Sequence, residues 1–164
     1  MKFEVEHHFR SSPEEVAAAL LDESFQATLK DVGRLADRVV LSQEDKDGLI
    51  VRRTRCVLHL ETSGVAKRFI GNADPAWVEV AEWHPEEMKW TWVVEPEVAA
   101  ELLEAHGHTE LEAYGGGTIR RVIGHVKVRV PIYGGKVEGW IAEGLEEAYA
   151  EEAELLEKWL VTGP

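Results

Sequence analysis

Residues 2 to 10 alternate, with Phe3, Val5, His7 and Phe9 on one face and Lys2, Glu4, Glu6, His8 and Arg10 on the other. This two-residue period predicts a half-buried strand. Ser12-Pro13-Glu14-Glu15 follows, with serine at an N-cap, proline at the first helical position and glutamate where a capping box needs it. A helix is expected from there to about Leu21. Asp22-Glu23-Ser24 restarts a second short helix through Lys30, and Gly33 is suited to end it.

From Leu35 the pattern is extended. Val39-Val40-Leu41 leads to Asp45-Lys46-Asp47-Gly48, where Asp-Gly predicts a hairpin into a partner strand over Leu49 to Leu60. Residues 63 to 72 read as a helical turn or an irregular crossing. Trp77 to Trp83 and Met88 to Val94 form a second hairpin around His84-Pro85-Glu86-Glu87, with Met88, Trp90, Trp92 and Val94 on one face. Between Pro96 and Tyr114 the signal is mixed: Val98 to Leu103 suits a helix, and His108 to Tyr114 looks extended. Gly115-Gly116-Gly117 turns into a strand over Thr118 to Val130, where Val126, Val128 and Val130 oppose Lys127 and Arg129. After Pro131-Ile132-Tyr133-Gly134-Gly135 a helix of about 25 residues, roughly 38 Å long, runs to about Leu160. Val137, Ile141, Leu145, Ala148 and Leu156 mark its apolar stripe, flanked by Trp140, Leu155 and Trp159.

That order predicts an α+β domain spanning 1–164: strand, two short helices, five or six antiparallel strands, then one dominant helix. The 164-residue length suits one domain. A net charge of -13 opposes binding to a phosphate backbone, so nucleic acid is not an expected partner. The basic cluster Arg52-Arg53-Thr54-Arg55 is expected to pair across strands with carboxylates. No apolar run reaches the roughly 18 residues of a membrane span, and the N-terminus lacks a signal-peptide core. A cytoplasmic protein without an integral membrane segment is expected. Cys56 is the lone cysteine, which excludes an intramolecular disulfide and reads as a buried strand residue.

The opening Phe3-Glu4-Val5-Glu6-His7 with Ser12-Pro13-Glu14-Glu15-Val16, and the tail from Val128 to Glu138 around Pro131-Ile132-Tyr133-Gly134-Gly135, resemble the START-like (SRPBCC) superfamily. The similarity is to an uncharacterised bacterial subfamily. It implies a helix-grip fold, a curved antiparallel sheet wrapped around a long C-terminal helix. It also implies a cavity, in a superfamily that hosts carriers, receptors and enzymes alike.

Reactive constellations are scarce. His7 and His8 point to opposite faces of a strand, and His106 and His108 have no nearby completing ligand, so no metal site is expected. No nucleophile elbow, phosphate loop or dinucleotide fingerprint occurs, and no cofactor is expected. The run Glu143, Glu146, Glu147, Glu151, Glu152, Glu154 and Glu157 has the spacing of a solvated helix face, and Glu138 complements the helix dipole. Six tryptophans are available for core packing or for lining an apolar pocket. Gly139 and Gly144 each cost a helix about 1 kcal/mol relative to alanine, which close packing or room for a ligand would rationalise.

The favoured reading is a non-catalytic protein holding a small hydrophobic or amphipathic molecule, lipid or polyketide-like, between sheet and helix. Its expected wall is Trp90, Trp92, Val126, Val128, Trp140 and Gly144, with His7 as a polar contact. Two alternatives stand beside it. One is a cyclase, aromatase or hydrolase using the same cavity, and the other is a co-chaperone-like adaptor using the outer sheet or the acidic helix.

Overall fold

The computed structural model describes residues 1–59 and 74–163. Strand β1 (Lys2–Phe9) buries Phe3 and Phe9 and exposes Lys2, Glu4, Glu6 and His8, as its alternation requires. Helix α1 (Pro13–Leu21) opens on the expected capping box: the Glu15 backbone N–H donates to Ser12 Oγ at 3.3 Å, and the Ser12 N–H donates to Glu15 Oε2 at 2.9 Å. Asp22 caps α2 (Glu23–Ala27) by accepting from the Ser24 and Phe25 backbones. This helix stops short of Lys30. Thr28 donates its hydroxyl to the Phe25 carbonyl at 2.7 Å, and Leu29 turns inward to complete burial.

Strands β2 (Leu35–Lys46) and β3 (Leu49–Leu58) are joined through Asp47 and Gly48, with φ of 57° and 89°, the left-handed pair that a tight hairpin favours. Then come β4 (Ala76–His84), a 3-10 turn at Pro85–Glu87, and β5 (Lys89–Pro96), the expected tryptophan hairpin. The helical turn or crossing expected over residues 63 to 72 lies outside the described residues. Val98 to Leu103 is not helical. A turn at Ala99, with φ of 52° and a Leu102 N–H bond to its carbonyl at 2.8 Å, delivers Leu103 into register with Val128. Sheet pairing and burial override helix propensity there. Strands β6 (Leu103–Tyr114) and β7 (Gly117–Val128) complete a curved seven-stranded antiparallel sheet ordered β1-β7-β6-β5-β4-β3-β2.

The last helix, α3 (Gly134–Thr162), has 29 residues, roughly 43 Å of length. Glu138 anchors its first turns to the sheet: the carboxylate is buried and accepts from the Val128 N–H at 2.9 Å. That bond holds its pKa below the usual carboxylate range. Farther along, Leu156 is fully buried in a core with Phe9, Val16, Phe25, Leu29 and Val122. Phe25 and Trp159 meet edge to face with centroids 5.6 Å apart. No helix among the described residues is long and apolar enough to cross a membrane.

Candidate functional site

A cavity of about 450 Å³ lies between the inner face of the sheet and α3. Its walls come from strand alternation. Along β5, Trp90, Trp92 and Val94 face inward; along β4, Trp77, Glu79 and Ala81 do so; along β7, Arg120 and Val128 do so. From α3, Val137, Ile141, Leu145 and Ala148 project from one stripe, with Trp140 and Gly144 beside them. The walls are therefore mainly aromatic and aliphatic, as small-molecule cavities usually are.

The same alternation places charge inside. Arg52 follows the phase of Thr54, Cys56 and Leu58 and is 7% exposed, whereas Arg53 and Arg55 face outward and pair with Glu95 at 2.9 Å and Glu97 at 2.7 Å. The expected surface pairing thus holds for Arg53 and Arg55 and fails for Arg52. Arg52 instead lies 4.6 Å from the Trp90 ring centroid and donates from Nη1 to the Leu20 carbonyl at 2.7 Å, at the end of α1. Burial lowers its pKa to about 10, which leaves it cationic at neutral pH. Arg38, from β2, donates to Gln26 Oε1 at 2.7 Å.

Arg120, 1% exposed, forms an ion pair with Glu152 and donates to the Tyr149 carbonyl at 3.1 Å. Glu152 therefore leaves the solvated face on which its neighbours lie, because it falls on the stripe of Leu145 and Ala148. Glu147 and Glu151 also have partners: Glu147 takes two bonds from Arg34, at 2.8 and 2.9 Å, and Glu151 accepts from the Gly33 N–H at 2.7 Å.

Glu79 lines the same cavity, beside Thr54 on β3 and Val94 on β5. Burial raises its pKa, with Arg38 and Arg52 opposing that rise. Tyr149 also lines the cavity, and burial pushes its phenol well above the ordinary value. The Cys56 thiol is pushed up to about 12 by burial, so it has little thiolate to offer as a nucleophile.

Of the residues expected at the wall, Trp90, Trp92, Val128, Trp140 and Gly144 line the cavity. Val126 does not: at 1% exposure it packs in the core. His7 is not at the wall either. Arg120 pairs with it across β1 and β7 and bonds its Nδ1 at 3.2 Å, so Arg120 supplies the cavity-facing group. Burial first, and then the Arg120 charge, pull the His7 pKa down to about 4, so the ring is neutral near pH 7. Among the tryptophans, Trp77, Trp90, Trp92 and Trp140 line the cavity, whereas Trp83 packs on Trp90 and Trp159 on Phe25. No cluster of three or more metal-ligating side chains is found among the described residues.

Over residues 4–160 the chain matches a family described as a protein of unknown function, DUF2505. It belongs to this family. No curated protein matches it in sequence. Several solved structures match the fold over nearly the whole chain. TTHA0849 from Thermus thermophilus is 17% identical with a TM-score of 0.71, the match covering 98% of this chain and 97% of that one. A START superfamily protein from Mycobacterium smegmatis is 15% identical with a TM-score of 0.61, covering 98% and 97%. The ZhuI aromatase/cyclase from Streptomyces sp. R1128 is 12% identical with a TM-score of 0.58, covering 98% and 92%. This member of the DUF2505 family has the START-like helix-grip fold.

Proposed function

We propose that the protein binds a small hydrophobic or amphipathic molecule in the cavity between the sheet and α3. The observation that carries this reading is the cavity itself: about 450 Å³ left unfilled beside a core of buried apolar side chains. That volume falls within the range of small-molecule sites. Four indoles on its walls offer flat apolar contact. A lipid or polyketide-like compound suits such a space, and the similarity in fold to a START superfamily protein and to an aromatase/cyclase supports that choice. The lone, buried Cys56 is in keeping with a reducing, cytoplasmic setting. Native mass spectrometry of freshly purified protein tests the proposal. A bound mass that solvent extraction releases is expected; protein that carries no bound mass and shows no thermal shift with lipid extracts contradicts it.

One observation favours catalysis as a second reading. Glu79 and Tyr149 are acids whose burial favours their neutral forms, and both line the cavity, where a cyclase needs proton donors. This reading expects turnover of a poly-β-ketone substrate, lost in Glu79→Gln or Tyr149→Phe with folding intact. Binding of the substrate without conversion leaves the carrier reading standing.

A further inference from the structure

Three guanidinium groups line the cavity, and their partners differ. Arg120 is ion-paired with Glu152. Arg38 and Arg52 have no carboxylate in contact among the described residues. Arg38 donates to Gln26 Oε1 at 2.7 Å and to the Gln26 carbonyl at 3.5 Å, and Arg52 donates to the Leu20 carbonyl at 2.7 Å and to Gln43 Oε1 at 3.5 Å. Both bonds of Arg52 leave from Nη1, while its Nε is buried without a partner among the described residues.

One bridge joins the two cations: Gln26 Nε2 donates to the same Leu20 carbonyl at 2.7 Å, and its Oε1 receives Arg38. The partial negative charge at the end of α1 offsets part of the cost of burying Arg52. It does not supply a counter-ion. Glu79 is the nearby carboxylate not committed to Arg120, and it forms no hydrogen bond or ion pair with either guanidinium among the described residues. The Thr54 hydroxyl in register with it is likewise buried without a partner. Among the described residues, buried Arg52 and half-buried Arg38 are held only by neutral groups, which is costly unless an anion joins them. Unused donors beside an apolar cavity are the chemistry that receives one.

We propose that the cavity takes an amphipathic acid, with an apolar body against the tryptophans and a carboxylate headgroup received by Arg38 and Arg52. This rests on the ligand-binding reading above and adds the chemical class of the ligand. Burial disfavours the charged form of Glu79, which lessens but does not remove its competition with the ligand headgroup for the two guanidinium groups.

The test titrates the intact protein with decanoate and with decan-1-ol, matched in chain length, each displacing the uncharged fluorophore N-phenyl-1-naphthylamine. Decanoate is expected to bind at least about tenfold more tightly, the scale of a charge-assisted hydrogen bond. Arg38→Met and Arg52→Met are expected to bring decanoate down to the affinity of the alcohol and to leave the alcohol within about twofold. Glu79→Gln is expected to tighten decanoate alone. Equal binding of acid and alcohol, or an equal loss of both in the arginine variants, overturns the proposal. Should Arg52→Met fail to fold, the half-buried Arg38 and the Glu79 variant still decide it. A fluorophore that binds but yields to neither compound sinks the headgroup assignment and leaves the cavity standing; a fluorophore that does not bind sinks both.

Discussion

At Gly107 an added methyl group would stand 2.2 Å from the Ile123 carbonyl oxygen and 2.4 Å from the Trp92 ring. Its partner across the ladder, Gly124, is crowded in the same way by Phe3 at 2.3 Å and Trp92 at 3.0 Å. The two glycines let these rings lie directly on the backbone, which sets Trp92 at the cavity wall. Gly107→Ala is therefore expected to destabilise the protein by about 2 kcal/mol or more, read from a denaturant midpoint. Gly144 behaves differently. A methyl group there meets Arg34 Cδ at 3.6 Å, an ordinary contact, so Gly144→Ala is expected to gain about 0.5–1 kcal/mol from helix propensity. A loss on that substitution would show that the bare position is needed for packing.

His7 gives a pH prediction. Its folded pKa, about 4, lies below the ordinary 6.5, so the unfolded chain takes up the proton first as pH falls. Stability from the neutral ring is present above pH 6.5 and is lost as pH drops toward 4, by about 1–2 kcal/mol after allowance for its half-exposure. Glu79 has the opposite sign, since a raised pKa favours the folded state at low pH. His7→Gln should therefore lose less stability than the parent between pH 6.5 and 4. Parallel melting-temperature profiles would contradict the assignment.

Among the elements, alternation carried most of what was legible in the sequence. The Phe3 phase, the tryptophan hairpin and the Val126–Val130 phase all follow a period of two that burial enforces, and Asp47-Gly48 announces its own turn. The inward charges obey the same rule. Arg52 keeps the phase of Thr54 and Cys56, Glu79 that of Trp77 and Ala81, Arg120 that of Val122 and Val126, and Glu152 the helical spacing of Leu145 and Ala148. Parity was sufficient to place them, but residue type suggested surface. The Val98–Leu103 segment was not legible, because its fate depends on register with β7 rather than on local preference. Glu138 was read through the helix dipole, whereas its main bond is to the Val128 backbone. Glu138→Ala should leave that buried N–H unpaired and cost about 1–3 kcal/mol, with faster amide exchange at Val128 as the local sign.

Across the whole molecule, a curved sheet and one long helix hold apart two faces that side chains do not completely fill, leaving about 450 Å³. Apolar walls and interior arginines combine there in a chain of net charge -13. The outer surface is acidic overall, while Arg38, Arg52 and Arg120 concentrate positive charge within. The proposed function requires this volume to be a binding site rather than a packing defect. Titration with N-phenyl-1-naphthylamine, read as energy transfer from tryptophan, tests it most directly in the parent and in Ala105→Phe, which places a ring at the wall. Saturable transfer at one molecule per chain is expected, abolished in a folded Ala105→Phe variant; no saturable transfer in the parent, or the same transfer in both proteins, would contradict a binding site there.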